Sequence, residues 1–254
     1  LVSNFIMTKT LILIPSRMAA TRLPGKPLLK INNKSIISHV FKKALEANIG
    51  EVVVATGDQE IIKDVLKNGG NGILTTDSHK TGTDRIFEAY KKLDIKNIDY
   101  VLNLQGDEPD INKDDIINLN NFMINSNAEI GTLAALIKDD EILNNKNIVK
   151  VSTDHKLERN NFPLVSNFSR ENPSKNKKNI YHHIGIYSYK VSTLEKFVNL
   201  KQTRNEIKNK LEQLRALDNK IKINVALANS SPIGVDTKED YLAIKKIMEY
   251  KLSK

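Results

Sequence analysis

Thr10-Leu11-Ile12-Leu13-Ile14-Pro15, followed by Ser16-Arg17-Met18-Ala19-Ala20-Thr21-Arg22-Leu23-Pro24-Gly25-Lys26-Pro27, is the stretch on which the fold turns. A short apolar run closed by a proline reads as a buried strand. The segment after it, to Lys30, is a loop rich in Arg, Lys, Pro and Gly. Outward from there, Ile36–Ala47 has the spacing of an amphipathic helix, and Glu51–Thr56 (EVVVAT) is β-branched and strand-like. A helix over Gln59–Lys67, a third strand over Asn71–Thr76 and a helix from about Thr83 to Leu93 continue the pattern. Asp99–Leu104 (DYVLNL) reads as a fourth strand and runs straight into Gln105-Gly106-Asp107-Glu108-Pro109. Strands alternating with helices at this spacing predict an α/β fold: a mostly parallel sheet flanked by helices, with right-handed connections.

After about residue 125 the pattern changes. Ile130–Ile137, Ile148–Ser152 and His183–Tyr189 read as strands separated by polar, proline-containing segments. Helices over Ser192–Leu200 and about Glu206–Leu217 follow, then a strand at Ile221–Ala228 and a closing helix over Lys238–Leu252. The expected organisation is one domain over residues 7–254, with residues about 130–220 elaborated into a smaller lobe. Residues 1–6 read as an N-terminal extension ahead of Met7, the original start in this reading. The string LVSNF occurs at Leu1–Phe5 and again at Leu164–Phe168, without a physical account.

The chain has no cysteine, which excludes a disulfide framework, a thiolate zinc site and a cysteine nucleophile. No apolar run reaches the ~20 residues of a membrane span, and no basic region followed by an apolar stretch marks a secretory signal. The expected compartment is the cytoplasm, with no membrane partner. Thirty-nine Lys and Arg against 30 Asp and Glu give a net charge of +9, which favours an anionic partner. Aromatics are only 6%, and no basic run is interleaved with them, so a nucleic-acid-binding module stands as the rival from another class rather than the first reading. Basic stretches such as Lys175–Lys178 read as solvated surface.

Four segments could do chemistry. Arg17, Arg22 and Lys26 lie within ten residues, at the carboxyl end of a parallel strand, where ligands of such sheets bind. Arg offers a planar fork to phosphate oxygens and Lys a point charge; the alternative is a solvated basic loop. The segment matches neither a Walker A loop nor a Gly-x-Gly-x-x-Gly fingerprint. Asp107, just past an apolar strand, is placed either to hold Mg²⁺ beside phosphates or to end the strand in a turn. In Gly234-Val235-Asp236-Thr237, Asp236 or Thr237 caps the last helix, or Asp236 is a second metal ligand. His79-Lys80-Thr81-Gly82-Thr83-Asp84-Arg85 opens a helix that could receive a polar base or an anion, with Thr83 as a plain cap the competing view. His182 and His183 point to opposite faces of their strand, which excludes a di-histidine metal site. Glu212, Gln213 and Arg215, on an expected helix, read as surface.

Taken in order, IPSRMAATRLPGKPL, HKTGTDR, VLNLQGDEP, FSR, HIGIYSY, LEQLRAL and GVDTKED resemble the 3-deoxy-D-manno-octulosonate (Kdo) cytidylyltransferases. The pieces run from residue 14 to about 240, and seven in the right order are far more specific than any one. The acylneuraminate cytidylyltransferases share the first loop in looser form. The resemblance implies a nucleotide-diphospho-sugar transferase-like fold with a smaller dimerisation and sugar-binding lobe, and a homodimer. It also implies a Mg²⁺-dependent nucleotidyltransferase reaction in which CTP and Kdo give CMP-Kdo and pyrophosphate for lipopolysaccharide. Carried over by motif, Ser16, Arg17 and Lys26 would bind the CTP phosphates with Arg22 as helper, and Thr81, Arg85 and Gln105 would surround the cytidine. Asp107 and Asp236 would hold Mg²⁺. Arg17, Lys26, Asp107 and Asp236 would form the catalytic set. Arg170, His183, Tyr187, Glu212 and Gln213 would face the sugar acid. Two departures stand out. Glu171-Asn172-Pro173 follows Arg170 where the family has small and apolar residues, which keeps an 8-amino-Kdo or an acylneuraminate substrate open. Gly57-Asp58 replaces a pair of acids after the second strand.

Overall fold

Leu11 and Leu13 face one side of the first strand and Ile12 and Ile14 the other, and all four are fully buried. An unbroken apolar run of this kind is what a strand covered by helices on both faces requires. The computed structural model describes residues 9–19, 22–172 and 178–252, so Met7, the extension at 1–6 and most of the 175–178 basic run lie outside the described residues.

Along the chain, β1 (Thr10–Ser16) leads through the Arg/Lys loop to a small hairpin, β2 (Lys30–Ile31) and β3 (Lys34–Ser35). Then come α1 (Ile36–Ala47), β4 (Gly50–Thr56), α2 (Gln59–Lys67), β5 (Gly72–Leu74), α3 (Gly82–Leu93) and β6 (Tyr100–Asn103). The second half holds α4 (Lys113–Ser126), β7 (Ile130–Ala135), α5 (Asp140–Asn144), β8 (Lys150–Thr153), β9 (Val165–Ser169) and β10 (Ile180–Lys190). It closes with α6 (Val191–Val198), α7 (Arg204–Asn209), α8 (Leu214–Asp218), β11 (Ile223–Leu227) and α9 (Lys238–Leu252).

The main sheet runs β11-β7-β10-β6-β1-β4-β5. Its pairs are parallel except those of β10, which lies antiparallel between β6 and β7. β8 and β9 form an antiparallel annex on the first residues of β10. Helices α1 and α4 cover one face through Ile37, Val40, Phe41, Ile116 and Leu119, while α3 and α6 cover the other through Ile86, Ala89, Leu194 and Phe197. Each such side chain taken fully out of water contributes roughly 1.5–3 kcal/mol. A third cluster of Ile31, Ile36, Val235, Ile244 and Met248 fastens α9 to the small hairpin, and so brings the last helix up to the first loop.

The expected α/β class and the element order hold through residue 104, with α1, α2 and α9 at the expected bounds. The small hairpin β2–β3 and the short helix α5 are not among the expected elements, and three further elements differ. α4 escapes pattern reading because its Asn-rich sequence puts Asp115 and Asn120 on the buried side. β9, which carries the second LVSNF copy, is too short and polar to show a strand alternation. The single helix expected over Glu206–Leu217 is broken: Lys210 takes φ +53° and separates α7 from α8.

Candidate active site

The carboxyl ends of β1 and β6, the start of α3 and the turn before α9 enclose a cleft of about 370 Å³. Ser16, Arg17, Arg22 and Lys26 line it from the first loop, and Thr81 and Arg85 from α3. Gln105, Asp107 and Asp236 complete the wall, so all nine candidate nucleotide and metal residues meet in one place.

Local chemistry explains how. The Met18 amide donates to the Asp58 carboxylate at 2.8 Å, which ties the first loop to the end of β4. Gly57 replaces the family's neighbouring acid, and here a Cβ would come within 1.6 Å of the Asp77 carboxylate. Gly25 adopts φ +71°, a conformation open to glycine, and its amide closes the loop on the Met18 carbonyl at 3.2 Å. Pro27 then begins a short 3₁₀ turn over Lys26–Leu28. On the facing side the Val235 amide donates to the Asp107 carbonyl at 2.9 Å, bringing together two segments distant in sequence.

Lys26 sits where these segments converge. Its Nζ is 2.6 Å from Asp107 Oδ2 and 3.3 Å from Asp236 Oδ1, while Arg22 Nη2 holds the other Asp236 oxygen at 2.9 Å. The cap question before α9 resolves in favour of Thr237. Its hydroxyl accepts from the Asp240 amide at 3.2 Å, and the Asp240 carboxylate accepts from the Thr237 amide at 2.8 Å. Asp236 is thereby left facing the cleft. Among the described residues no three His, Asp or Glu side chains surround one point. The donor set at the cleft is therefore two carboxylates, which suits a hard cation that takes one or two carboxylates plus phosphate oxygens and water.

At α3, Thr81 is the cap, accepting from the Asp84 amide at 3.1 Å. Thr83, the competing cap in the sequence reading, lies inside the helix and donates to Glu212 Oε2 at 2.9 Å. Arg85 is buried, donates to the Thr75 hydroxyl at 2.6 Å, and has its pKa lowered by that burial. Gln105 Nε2 donates to the Gly185 carbonyl at 3.0 Å, beside a bulge in β10.

The candidate sugar residues lie beyond that bond. His183 is buried, its Nε2 3.0 Å from the Thr132 hydroxyl, and burial followed by the neighbouring His182 pushes its pKa down to about 3. His182 bonds Ser231 instead, as opposite faces require. The His183 and Tyr187 rings are 5.5 Å apart, and the Tyr187 hydroxyl is buried with no protein partner. Glu212 and Arg215, read as surface, are not: the break at Lys210 folds the segment inward. Arg215 donates two buried hydrogen bonds to the Glu206 carboxylate, at 2.9 and 2.5 Å, and burial raises the pKa of Glu212. Gln213 begins α8. Arg170 stands apart from the cleft, at the end of β9, with Nη1 on the Asn147 carbonyl at 3.0 Å.

Two residues without an assigned role also belong here. Glu108 has a buried carboxyl oxygen with no partner, and burial together with the Asp107 charge raises its pKa to about 8. His79 lines the cleft from the start of the HKTGTDR segment, where it offers a polar side chain two positions ahead of the Thr81 cap. Its position in that segment was the signal available.

A cytidylyltransferase family model matches residues 11–223. The chain is 42% identical over 242 residues to a 3-deoxy-manno-octulosonate cytidylyltransferase of Rhodopseudomonas palustris, covering 95% of this chain and 98% of that one. It is 44% identical to its counterpart in Thermodesulfovibrio yellowstonii, covering 94% and 98%. Among solved structures it is similar to a CMP:2-keto-3-deoxy-manno-octonic acid synthetase complexed with CTP, with a TM-score of 0.87, 33% identity, and coverage of 96% and 100%. The chain belongs to the 3-deoxy-manno-octulosonate cytidylyltransferase family.

Proposed function

We propose that the cleft around Lys26 performs the reaction of that family: CTP and Kdo give CMP-Kdo and pyrophosphate. The activated sugar would serve lipopolysaccharide synthesis, and the enzyme would act as a cytoplasmic homodimer. The observation that carries the site assignment is the Lys26 ammonium lodged between Asp107 and Asp236, at the root of a loop bearing Arg17 and Arg22.

Ser16, Arg17, Arg22 and Lys26 bind and neutralise the triphosphate. Thr81, Arg85 and Gln105 surround the cytidine. Asp107 and Asp236 would hold Mg²⁺, which when bound supplies Lewis-acid charge neutralisation at the phosphates. Triphosphate oxygens compete for the Lys26 ammonium, and releasing it would free one oxygen of each carboxylate for the cation. The anomeric hydroxyl oxygen of Kdo attacks the α-phosphorus as the bond to the β-phosphate oxygen breaks. Pyrophosphate leaves with that electron pair, and the hydroxyl proton is lost to solvent. The protein contributes alignment and fixed positive charge, the usual means of catalysis in such transfers.

His183, Tyr187, Glu212 and Gln213 bind the sugar. The partnerless Tyr187 hydroxyl is a donor available to a sugar oxygen. Arg170 uses Nη1 on backbone carbonyls and keeps its other fork edge for the sugar carboxylate. Glu171, the departure that raised an amino sugar, pairs with Lys146 at 3.2 Å and is 69% exposed, which favours Kdo. The test is pyrophosphate release with CTP, Mg²⁺ and Kdo, 8-amino-Kdo or N-acetylneuraminate in parallel. Release with Kdo is the expected result. Release with another sugar alone would move the substrate, and Asp107→Ala or Asp236→Ala with parent activity would overturn the assigned metal role.

A further inference from the structure

His79 stands in the cleft wall with its ring held from behind. Its Nε2 bonds Glu88 Oε2 and lies 3.1 Å from the Thr76 hydroxyl. Glu88 also accepts from the Thr76 amide at 3.0 Å, the Thr76 hydroxyl at 2.9 Å and the Lys92 ammonium at 2.6 Å. Burial alone would raise its pKa, but the bonds from Lys92, His79 and Thr76 outweigh this and lower it to about 2. Glu88 is therefore an ionised carboxylate that can only accept. The Thr76 hydroxyl spends its proton on Glu88, so toward the ring its oxygen accepts as well. Both neighbours of Nε2 are acceptors, so in the neutral tautomer the hydrogen is on Nε2. Nδ1 is then a lone pair. Among the described residues no protein group bonds it, and the ring lies in the wall of the cleft.

The charged side chains of this wall, Arg17, Lys80 and Arg85, are donors with no acceptor capacity. They suit phosphate oxygens, so the donors of a nucleoside must meet other groups of the lining, among which Ser16, Thr81, Gln105 and the His79 ring can accept. We propose that His79 is a further nucleotide-binding residue, whose Nδ1 accepts a hydrogen bond from the nucleoside half of CTP, with Glu88 as its positioning residue. The donors there are the 4-amino group of the base and the two ribose hydroxyls. This assignment rests on the nucleotide reading of the cleft.

The two nitrogens can be separated by substitution. His79→Gln reaches the Nε2 position, keeps a donor for Glu88 and deletes Nδ1. His79→Asn places a polar atom near Nδ1 and lets go of Glu88. Binding of CTP, its analogues 2′-deoxy-CTP, 3′-deoxy-CTP and UTP, and pyrophosphate is measured calorimetrically for parent and variants, with melting temperatures alongside. His79→Gln is expected to weaken CTP binding about tenfold, the loss of one buried hydrogen bond, with the parent's melting temperature. It should also lose discrimination against one of the three analogues, which identifies the donor. A purely structural role reverses the order: His79→Gln binds like the parent and His79→Asn is impaired and melts early. That order overturns the proposal. Weakened pyrophosphate binding with unchanged discrimination also overturns it, by placing the ring on the phosphates. A parent that fails to bind CTP would instead overturn the nucleotide reading.

Discussion

Around the carboxyl ends of β1 and β6 the charged functional groups are partly exposed and carried on loops and turns, with Arg85, buried on α3, the exception. Beyond Gln105, His183 and the Tyr187 hydroxyl on β10 and Arg215 on α8 are buried, held neutral or tightly paired, and Glu212 reaches them from the turn between α7 and α8. Asp107 and Asp236 keep side-chain exposures of 30% and 50%, whereas Arg215 and Glu206 keep 4% each. The nucleotide side is thus a set of charges waiting for opposite charge, and little of the fold depends on it. On the sugar side, binding groups and packing groups are the same residues. Substitutions on the first side should cost catalysis and spare stability, and on the second the two losses should come together.

Glu206→Ala is the largest test of that division. It removes both hydrogen bonds of the buried Arg215 guanidinium, leaving Glu212 at 3.6 Å as its carboxylate neighbour; breaking one half of a buried pair costs about 3–5 kcal/mol, and denaturant unfolding should show it. A loss in the range of surface pairs would mean the sugar side is not held together this way. Lys26→Met comes next: kcat should fall on the order of 10²–10³-fold, with an unfolding midpoint near the parent's. Comparable losses of both would erase the contrast.

Protonation sharpens it further. His183 is held at about 3 against an ordinary 6.5, so the unfolded chain binds more protons between those values and stability there rises with pH. Its contribution is present above 6.5 and is lost as the pH falls toward 3. Chemical denaturation across that window should show the slope in the parent and a shallower one in His183→Gln. An unchanged slope would place the acid sensitivity elsewhere. The smallest effect is expected for Tyr187→Phe, which deletes a buried hydroxyl that has no partner in the protein. Stability should hold or rise slightly, while KM for Kdo rises by up to about tenfold and KM for CTP stays put. A rise in both would move Tyr187 away from the sugar.

The same division explains what was legible in the sequence. Thr10–Ile14 and Val52–Thr56 are buried on both faces, so composition alone marks them as strands. Arg17, Lys26, Asp107 and Asp236 sit on turns next to such strands, where a charged residue stands out. Glu212 and Arg215 carry no such mark. Their burial follows from a reversal at Lys210, a residue with no intrinsic preference for a left-handed backbone, and is held by Glu206 and Thr83. α4 was hidden for a related reason: its inward Asp115 bonds Asn229 at 2.7 and 2.8 Å, a long-range partnership that no local pattern encodes. His79 was visible as part of a motif, but its anchor on Glu88 depends on how the loop folds back on α3.

The placement of β10 has a consequence for the order in which the chain can assemble during synthesis. β6 finds β1 as soon as it is made, yet its other edge is covered only by residues 187–190 of β10, through pairs such as Tyr187 with Asn103. A ribosome extending by about 5–20 residues per second needs on the order of several seconds to make the intervening segment. For that interval the half-made protein presents Tyr100–Asn103 as an open strand edge, the kind that recruits neighbouring chains. Four buried residues flanked by Asp99 and the acidic Asp107-Glu108 turn give a short edge guarded by like charge. In the finished enzyme Asp107 of that turn lines the cleft; in the nascent chain both acids would keep polysomal neighbours apart.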